Sequence, residues 1–422
     1  MRIDYDASAD VRRVIAAIGR TEDVRFSPGN SRLAVAGAGR DRLVIFDIEI
    51  AAANTAPAIR LTGAVEIASP CLKYPHGLEF IDESTLVVGS RNGGVAVFAL
   101  PPAGNAAHEC ELEPLQVLPA GPESLIDGPG SLAIARRNPC ELLVCNNFGN
   151  TITRHVLEPA ANGGKADGHV VLSKWLDVPD GICVSGDGRW IAVSNHWTHG
   201  VLVYENKPSL THDADPDGIL RSLHHPHGIR FSADGRHIFV ADAGAPYVHI
   251  YASDEGDWRG VRSPMASFKV MDDAAFLRGR VNVHEGGPKG VDLDKNATVL
   301  VVTSEHQPLA FFDLPAILRA GPLLNPSLDM EVELGAMEMT TGFRRQLDRT
   351  HRHLKAVEAK AASEQRKAAK AKAAAARQAA RAAKFKAKAE KAKTKTRDGF
   401  VITAPIRRLY SALKRPRPGR PS

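Results

Sequence analysis

Residues 181–195 read GICVSGDGRWIAVSN and residues 228–242 read GIRFSADGRHIFVAD. Each is an apolar alternating run, a Ser-x-Asp-Gly turn and a second apolar run, and each follows a Pro-x step, Pro179-Asp180 and Pro226-His227. Alternation of this kind marks a half-buried strand. The Asp-Gly pairs supply the positive-φ residues that a tight hairpin needs. Working outward, the signature recurs with anchors at Asp23, Gly77, Ser131, Gly181, Gly228 and Gly290, spaced by 54, 54, 50, 47 and 62 residues. A third apolar strand follows each copy (LVIFD at Leu43, VAVFA at Val95, ITRHVL at Ile152, VLVYE at Val201, VHIYA at Val248, LAFFD at Leu309). A fourth strand precedes the next anchor, as in HVVL at His169 and ASFKVM at Ala266. Four short antiparallel strands repeated six times predict an all-β, six-bladed β-propeller over residues 11–335. The sixth blade needs a closing partner for its open edge. VRRVIAAI at Val11 is expected to supply it, in preference to MEVELG near Met330.

The full chain of 422 residues, 44% hydrophobic and 24% charged, excludes a wholly disordered or collagen-like protein. No apolar run is long enough to cross a membrane as a helix. Five scattered cysteines without a CxxC spacing indicate neither a disulfide framework nor a structural zinc site, and read as reduced, mostly packed thiols. The first twenty residues carry acidic groups and no apolar block, so a cytoplasmic protein is expected.

The net charge of +6 hides a partition. Residues 341–422 hold 25 Lys+Arg against 5 Asp+Glu, while the preceding 340 hold 29 against 43. No Gly or Pro falls between Phe343 and Asp398, and residues 355–393 contain 18 Ala and 13 Lys+Arg. That composition predicts a long basic helix over 341–398, with a weak heptad seam at its start. In the last part, 399–422, PIRRLYSALKR places Ile406, Leu409, Tyr410 and Leu413 on one face of a basic amphipathic segment. Such a tail suits an acidic protein, nucleic acid or an anionic inner membrane surface.

Strand direction places the residue before each anchor on one channel mouth. In blade order these are Glu22, His76, Gly130, Asp180, His227 and Lys289, so Glu22 faces Asp180 and His76 faces His227. Loops after the second strands add Asn195, His196 and His306 to that mouth. Imidazoles with carboxylates are the ligand set of a zinc-like metal site with an open position. Glu22, His76, Asp180 and His227 are therefore the candidate ligands of one divalent ion, with His196, His306, Lys289 and Asn195 as polar neighbours. A polar residue also stands at such a mouth in propellers that bind nothing there. Asn146, Asn195 and Asp242 recur at one repeat position and are expected to cap loops through Asx-type bonds. No GxSxG elbow or Cys-His pairing is evident, which argues against a serine or cysteine nucleophile.

PHGLEF at Pro75, PDGICVSGDGRWIAVSN at Pro179 and PHGIRFSADGRHIFVAD at Pro226 resemble NHL and YVTN-type propeller repeats. The Pro-Asp-Gly step is also similar to that of the senescence-marker/gluconolactonase family of six-bladed propellers. That resemblance implies a metal held by Asp180 and, through the equivalent position, Glu22. His76 and His227 resemble instead the histidine ligands of propeller lyases that act on hydroxyglycine peptides. Two functions are expected from these features: a docking module tethered by its basic tail to an acidic partner or surface, or a metal-dependent, lactonase-like hydrolase or lyase acting at the channel mouth on a small polar ligand.

Overall fold

The computed structural model describes residues 1–320 apart from 53–55, 105–106, 122, 158–167 and 281–283. The basic helix expected over 341–398, its heptad seam, the segment 399–422 and the MEVELG strand lie outside the described residues.

Six antiparallel sheets form six blades. Their inner strands are Thr21–Phe26, Pro75–Phe80, Pro129–Arg137, Pro179–Val184, Pro226–Phe231 and Val291–Leu293. Each inner strand packs beside the next, and the sixth returns to the first, so the ring is closed. Blade 4 shows the plan: Pro179–Val184, Trp190–Asn195, Gly200–Glu205 and Gly218–Leu220 follow one another outward. Because side chains alternate faces, each blade feeds two inter-blade cores, and six such cores alternate with six blades. In blade 1, Leu33 and Val35 face blade 6 while Ala34 and Ala36 face blade 2. Each fully buried Val or Leu contributes about 1.5–3 kcal/mol, so the cores between blades supply most of the cohesion.

The glycine anchors have a steric cause. A Cβ on Gly181 would meet the His227 carbonyl oxygen at 2.1 Å, and one on Gly228 would meet that of Lys289 at 2.3 Å. Neighbouring inner strands touch here through backbone alone. Where the anchor has a side chain, that side chain bridges the same gap: Asp23 Oδ2 accepts from Leu78 N at 3.0 Å, and Ser131 Oγ accepts from Ile182 N at 3.3 Å.

Closure differs from expectation. The strand that completes blade 6 is Arg2–Ile3, which pairs with Phe311 and Phe312. VRRVIAAI instead lies in a helix, Ala9–Ala17, capped by Ser8. Val11, Val14, Ile15 and Ile18 are buried against blade 1, a spacing of three and four that matches a helix turn and not a strand's alternation. The helix therefore covers the outer part of blade 1, and the shorter segment ahead of it makes the clasp. Three additional short strands run parallel to outer strands, including Ala107–Glu111 beside blade 1. The five cysteines are all free thiols. No helix among the described residues is long and apolar enough to cross a membrane.

Candidate functional site

A register shift interrupts the inner strand at the Pro-x-Gly step in blades 2, 3 and 4, between Pro75 and Gly77, Pro129 and Ser131, and Pro179 and Gly181. Similar shifts fall between Thr21 and Val24 and between Pro226 and Ile229. A bulge of this kind re-aims the unpaired side chain. Here it turns the residue before the anchor into the channel.

The turn entering each step is also specialised. Tyr74, Gly128 and Val178, each just before the proline, have φ of 58°, 61° and 52°. For a β-branched residue such as Val178 that conformation is strained. It directs the three carbonyls to the backbone amides of Arg91, Asn147 and His196, at 2.9, 2.9 and 3.1 Å. The loop after each second strand is thereby tied beside the ring, which brings the Arg91, Asn147 and His196 side chains to Asp180.

The structure brings side chains from blades 1, 2, 4 and 5 together in the channel. The His76 and His227 rings stack at a centroid distance of 5.2 Å. Glu22 Oε2 lies 3.5 Å from His76 Nε2, 3.4 Å from His227 Nε2 and 3.1 Å from Lys289 Nζ. Asp180 Oδ2 lies 3.5 Å from both His227 Nε2 and His196 Nδ1, while Oδ1 accepts from Arg91 Nη2 at 2.7 Å and Asn147 Nδ2 at 2.8 Å. Glu22, His76, Asp180, His227, Lys289 and His196 are all buried.

His76 Nδ1 lies 2.5 Å from the Gly130 carbonyl oxygen. A carbonyl only accepts, so Nδ1 carries the proton and Nε2 of the neutral ring presents a lone pair. Burial, reinforced by Arg91, pushes the His76 pKa down to about 3, so the ring is neutral at ordinary pH. Glu22 is ionised: burial opposes its charge, but the Lys289 ammonium and the Arg20 guanidinium outweigh that and hold its pKa well below the usual value. Asp180 is likewise held low, burial being outweighed by His227, Arg91, His76 and His196. A carboxylate oxygen and an imidazole lone pair thus face each other; Glu22 Oε2 is contacted by the Lys289 ammonium, while His76 Nε2 and His227 Nε2 have no hydrogen-bond partner. These three atoms lie within 4.8 Å of one another. Around a tetrahedral ion with bonds of about 2.0–2.1 Å, neighbouring ligand atoms stand roughly 3.4 Å apart. The two Glu22–histidine separations match that edge.

The other expected residues divide. His196 is part of the cluster, and burial pushes its pKa down to about 4. Lys289 bridges Glu22 and Glu285, the latter at 2.7 Å. Asn195 does not enter the channel; its Oδ1 accepts from Asp177 N at 2.7 Å, as the loop-capping role predicts. Asn146 and Asp242 do the same for Asp127 N and for His224 N and His225 N. His306 is exposed at the rim.

Sequence reasoning passed over Arg20, Tyr74, Arg91 and Glu285. Arg20 Nε bonds Glu22 Oε1 at 2.5 Å, Tyr74 OH donates to the same oxygen at 3.1 Å, and Arg20 Nη2 reaches Glu285 Oε2 at 3.1 Å. Arg91 alone had a signal, because it follows the second strand at the offset of Asn147 and His196. The cluster so completed sets three carboxylates, Glu22, Asp180 and Glu285, against three cations, Arg20, Arg91 and Lys289. Phe148 and Trp197, 56% and 41% exposed, flank it at one further repeat position.

No family model matches the chain, and a comparison with curated proteins returned no match. Among solved structures, a functionally unknown protein from Desulfotomaculum acetoxidans is similar, at 13% identity and a TM-score of 0.46, covering 72% of this chain and 84% of that one. The chain is a six-bladed β-propeller, an architecture that commonly serves as a binding scaffold.

Proposed function

We propose that the Glu22 mouth holds one divalent cation and acts there as a hydrolase or lyase on a small, anionic or strongly polar ligand. Glu22 Oε2, His76 Nε2 and His227 Nε2 would be its ligands, and Asp180 Oδ2, 3.5 Å from the same His227 Nε2, would be a further carboxylate beside the ion. The observation that carries this reading is the buried convergence of His76 Nε2 and His227 Nε2, neither with a hydrogen-bond partner, on a Glu22 oxygen that the Lys289 ammonium reaches at 3.1 Å. Two acceptors facing each other call for a cation or a donor between them.

A bound divalent ion supplies Lewis-acid polarisation of a carbonyl and a water of lowered pKa. The chain's own residues do the rest. Lys289, displaced from Glu22, keeps Glu285 at 2.7 Å. With Glu305 also paired to Arg20, the carboxylates of this cluster exceed its cations by one, so an added dication leaves a single positive surplus, which favours a ligand that brings negative charge. Arg20 and Arg91 stand ready to orient such a ligand.

Elemental analysis of the purified full chain, with thermal unfolding before and after chelation, tests the reading. Wild type should carry close to one equivalent of a divalent metal and melt lower without it. His227→Ala should lose the metal and the chelator-sensitive shift together. A metal-free wild type whose melting is indifferent to added zinc, manganese or calcium would overturn it.

A second reading rests on the charge partition of residues 341–422. In it the propeller is a cytoplasmic docking module whose basic tail binds an acidic partner or the inner membrane surface. Truncation after Leu334 should then leave a folded body and abolish salt-sensitive association with anionic vesicles. Unchanged association in the truncated chain would remove this reading.

A further inference from the structure

Two residues after each anchor, the inner strands carry Arg25, Glu79, Ala133, Cys183, Arg230 and Asp292. They line a cavity of about 570 Å³ at the other end of the channel, rimmed by turns between first and second strands such as Ser185–Gly188. That is the size of an ordinary small-molecule site.

The floor is uneven. Ala133 and Cys183 leave blades 3 and 4 small and uncharged, while the remaining four blades contribute charges. Arg25 Nη1 donates to Asp23 Oδ1 at 2.6 Å, and Arg230 Nε donates to Asp292 Oδ1 at 3.1 Å. Asp292 Oδ2 is committed to Phe26 N at 2.8 Å. Glu79 Oε2 lies between the two guanidinium groups, but loosely, 3.6 Å from Arg25 Nε and 3.5 Å from Arg230 Nη2. Charge-assisted bonds of this type close to about 2.7–2.9 Å when satisfied. Arg25 Nε has no hydrogen-bond partner, although its side chain is only 3% exposed. Two cavity-lining guanidinium groups that share one loosely held carboxylate are a binding pair for an anion.

We propose that this cavity binds a small monocarboxylate, its carboxyl group bridging Arg25 and Arg230 beside Glu79 and its body resting over Ala133 and Cys183. A single negative charge is what the floor admits, since Asp23 and Asp292 already hold the two arginines. Glu79 decides the protonation. Arg25, Arg230 and Arg137 face it as cations, Asp23 and Asp292 as carboxylates, and burial dominates, pushing its pKa up to about 7. Protonated Glu79 donates to the incoming carboxylate; ionised Glu79 repels it.

Calorimetric titration of the full chain with lactate and benzoate, with choline as a cationic control and chelator present throughout, tests this site apart from the metal reading. Saturable binding of at least one carboxylate is expected, weakening by about tenfold per pH unit above the Glu79 pKa. Glu79→Gln should lessen that pH dependence, leaving the part contributed by Asp292, and bind more tightly than wild type near pH 8. Arg230→Gln should weaken binding at least tenfold, and if it does not fold the Glu79→Gln result decides. No saturable carboxylate binding by wild type and Glu79→Gln, an affinity near pH 8 indifferent to Glu79→Gln, or a preference for choline would each overturn the proposal.

Discussion

At the Glu22 end of the channel, ionised carboxylates and cations are packed together beneath the surface, and His76 and His196 among them are kept neutral. At the Arg25 end, the repeat position two residues beyond the anchor faces an open cavity, and Glu79, with 21% of its side chain exposed, is pushed toward protonation. Both ends come from the same six strands. The difference shows that in this ring chemistry is set by the residue at each offset and by how much water reaches it.

The contrast breaks most visibly if like substitutions at the two ends cost the same. Glu22→Gln in chelated protein strips the buried Lys289 and Arg20 of a shared partner, and breaking a buried pair in this way costs about 3 kcal/mol or more. Glu79→Gln, removing a carboxylate that burial already disfavours, should cost under about 1 kcal/mol. Denaturant unfolding of the two variants measures both.

A smaller effect sharpens the comparison through pH. The folded-state pKa of Glu79 rises from 4.5 to about 7, so its contribution is fully present below 4.5 and is lost as pH climbs toward 7. Asp292 shifts in the same direction, raised by burial. At the other mouth, the His196 pKa falls from 6.5 to about 4, so its contribution is present above 6.5 and is lost as pH drops toward 4. The two trends oppose over one window. In chelated protein, Glu79→Gln should tilt the melting temperature upward with pH relative to wild type, and His196→Asn should tilt it downward, each by about a few degrees. Equal tilts in one direction would erase the electrostatic distinction between the ends. The smallest change is expected for Lys295→Ser on the exposed rim of the lower cavity: stability within about 0.5 kcal/mol of wild type, with a modest loss of lactate affinity.

Much of this architecture was legible because the Gly anchors are a backbone requirement. Where neighbouring strands touch without side chains, the position repeats in the sequence, and the residue before it inherits a known place. Glu22, His76, Asp180 and His227 were found that way, as was the capping role of Asn146, Asn195 and Asp242. The lower tier had the same regular offset, but Arg25, Glu79, Ala133, Cys183, Arg230 and Asp292 share no chemistry, so composition hid it. Arg20, Tyr74 and Glu285 reach the cluster from loops whose paths no periodicity encodes. The clasp was misplaced because Val11, Val14, Ile15 and Ile18 also suit a strand when read one by one. The Ser8 cap and the three-four spacing carried the helix signal.

The backbone contact at Gly181 and Gly228 has a consequence for redesign. Since main chain against main chain sets the spacing of the blades at Gly181 and Gly228, the bore there does not depend on which side chains point inward. One substitution per blade, at a single offset, is enough to rewrite either mouth while the wheel keeps its shape. The scaffold therefore offers two independently programmable rims on a common hub.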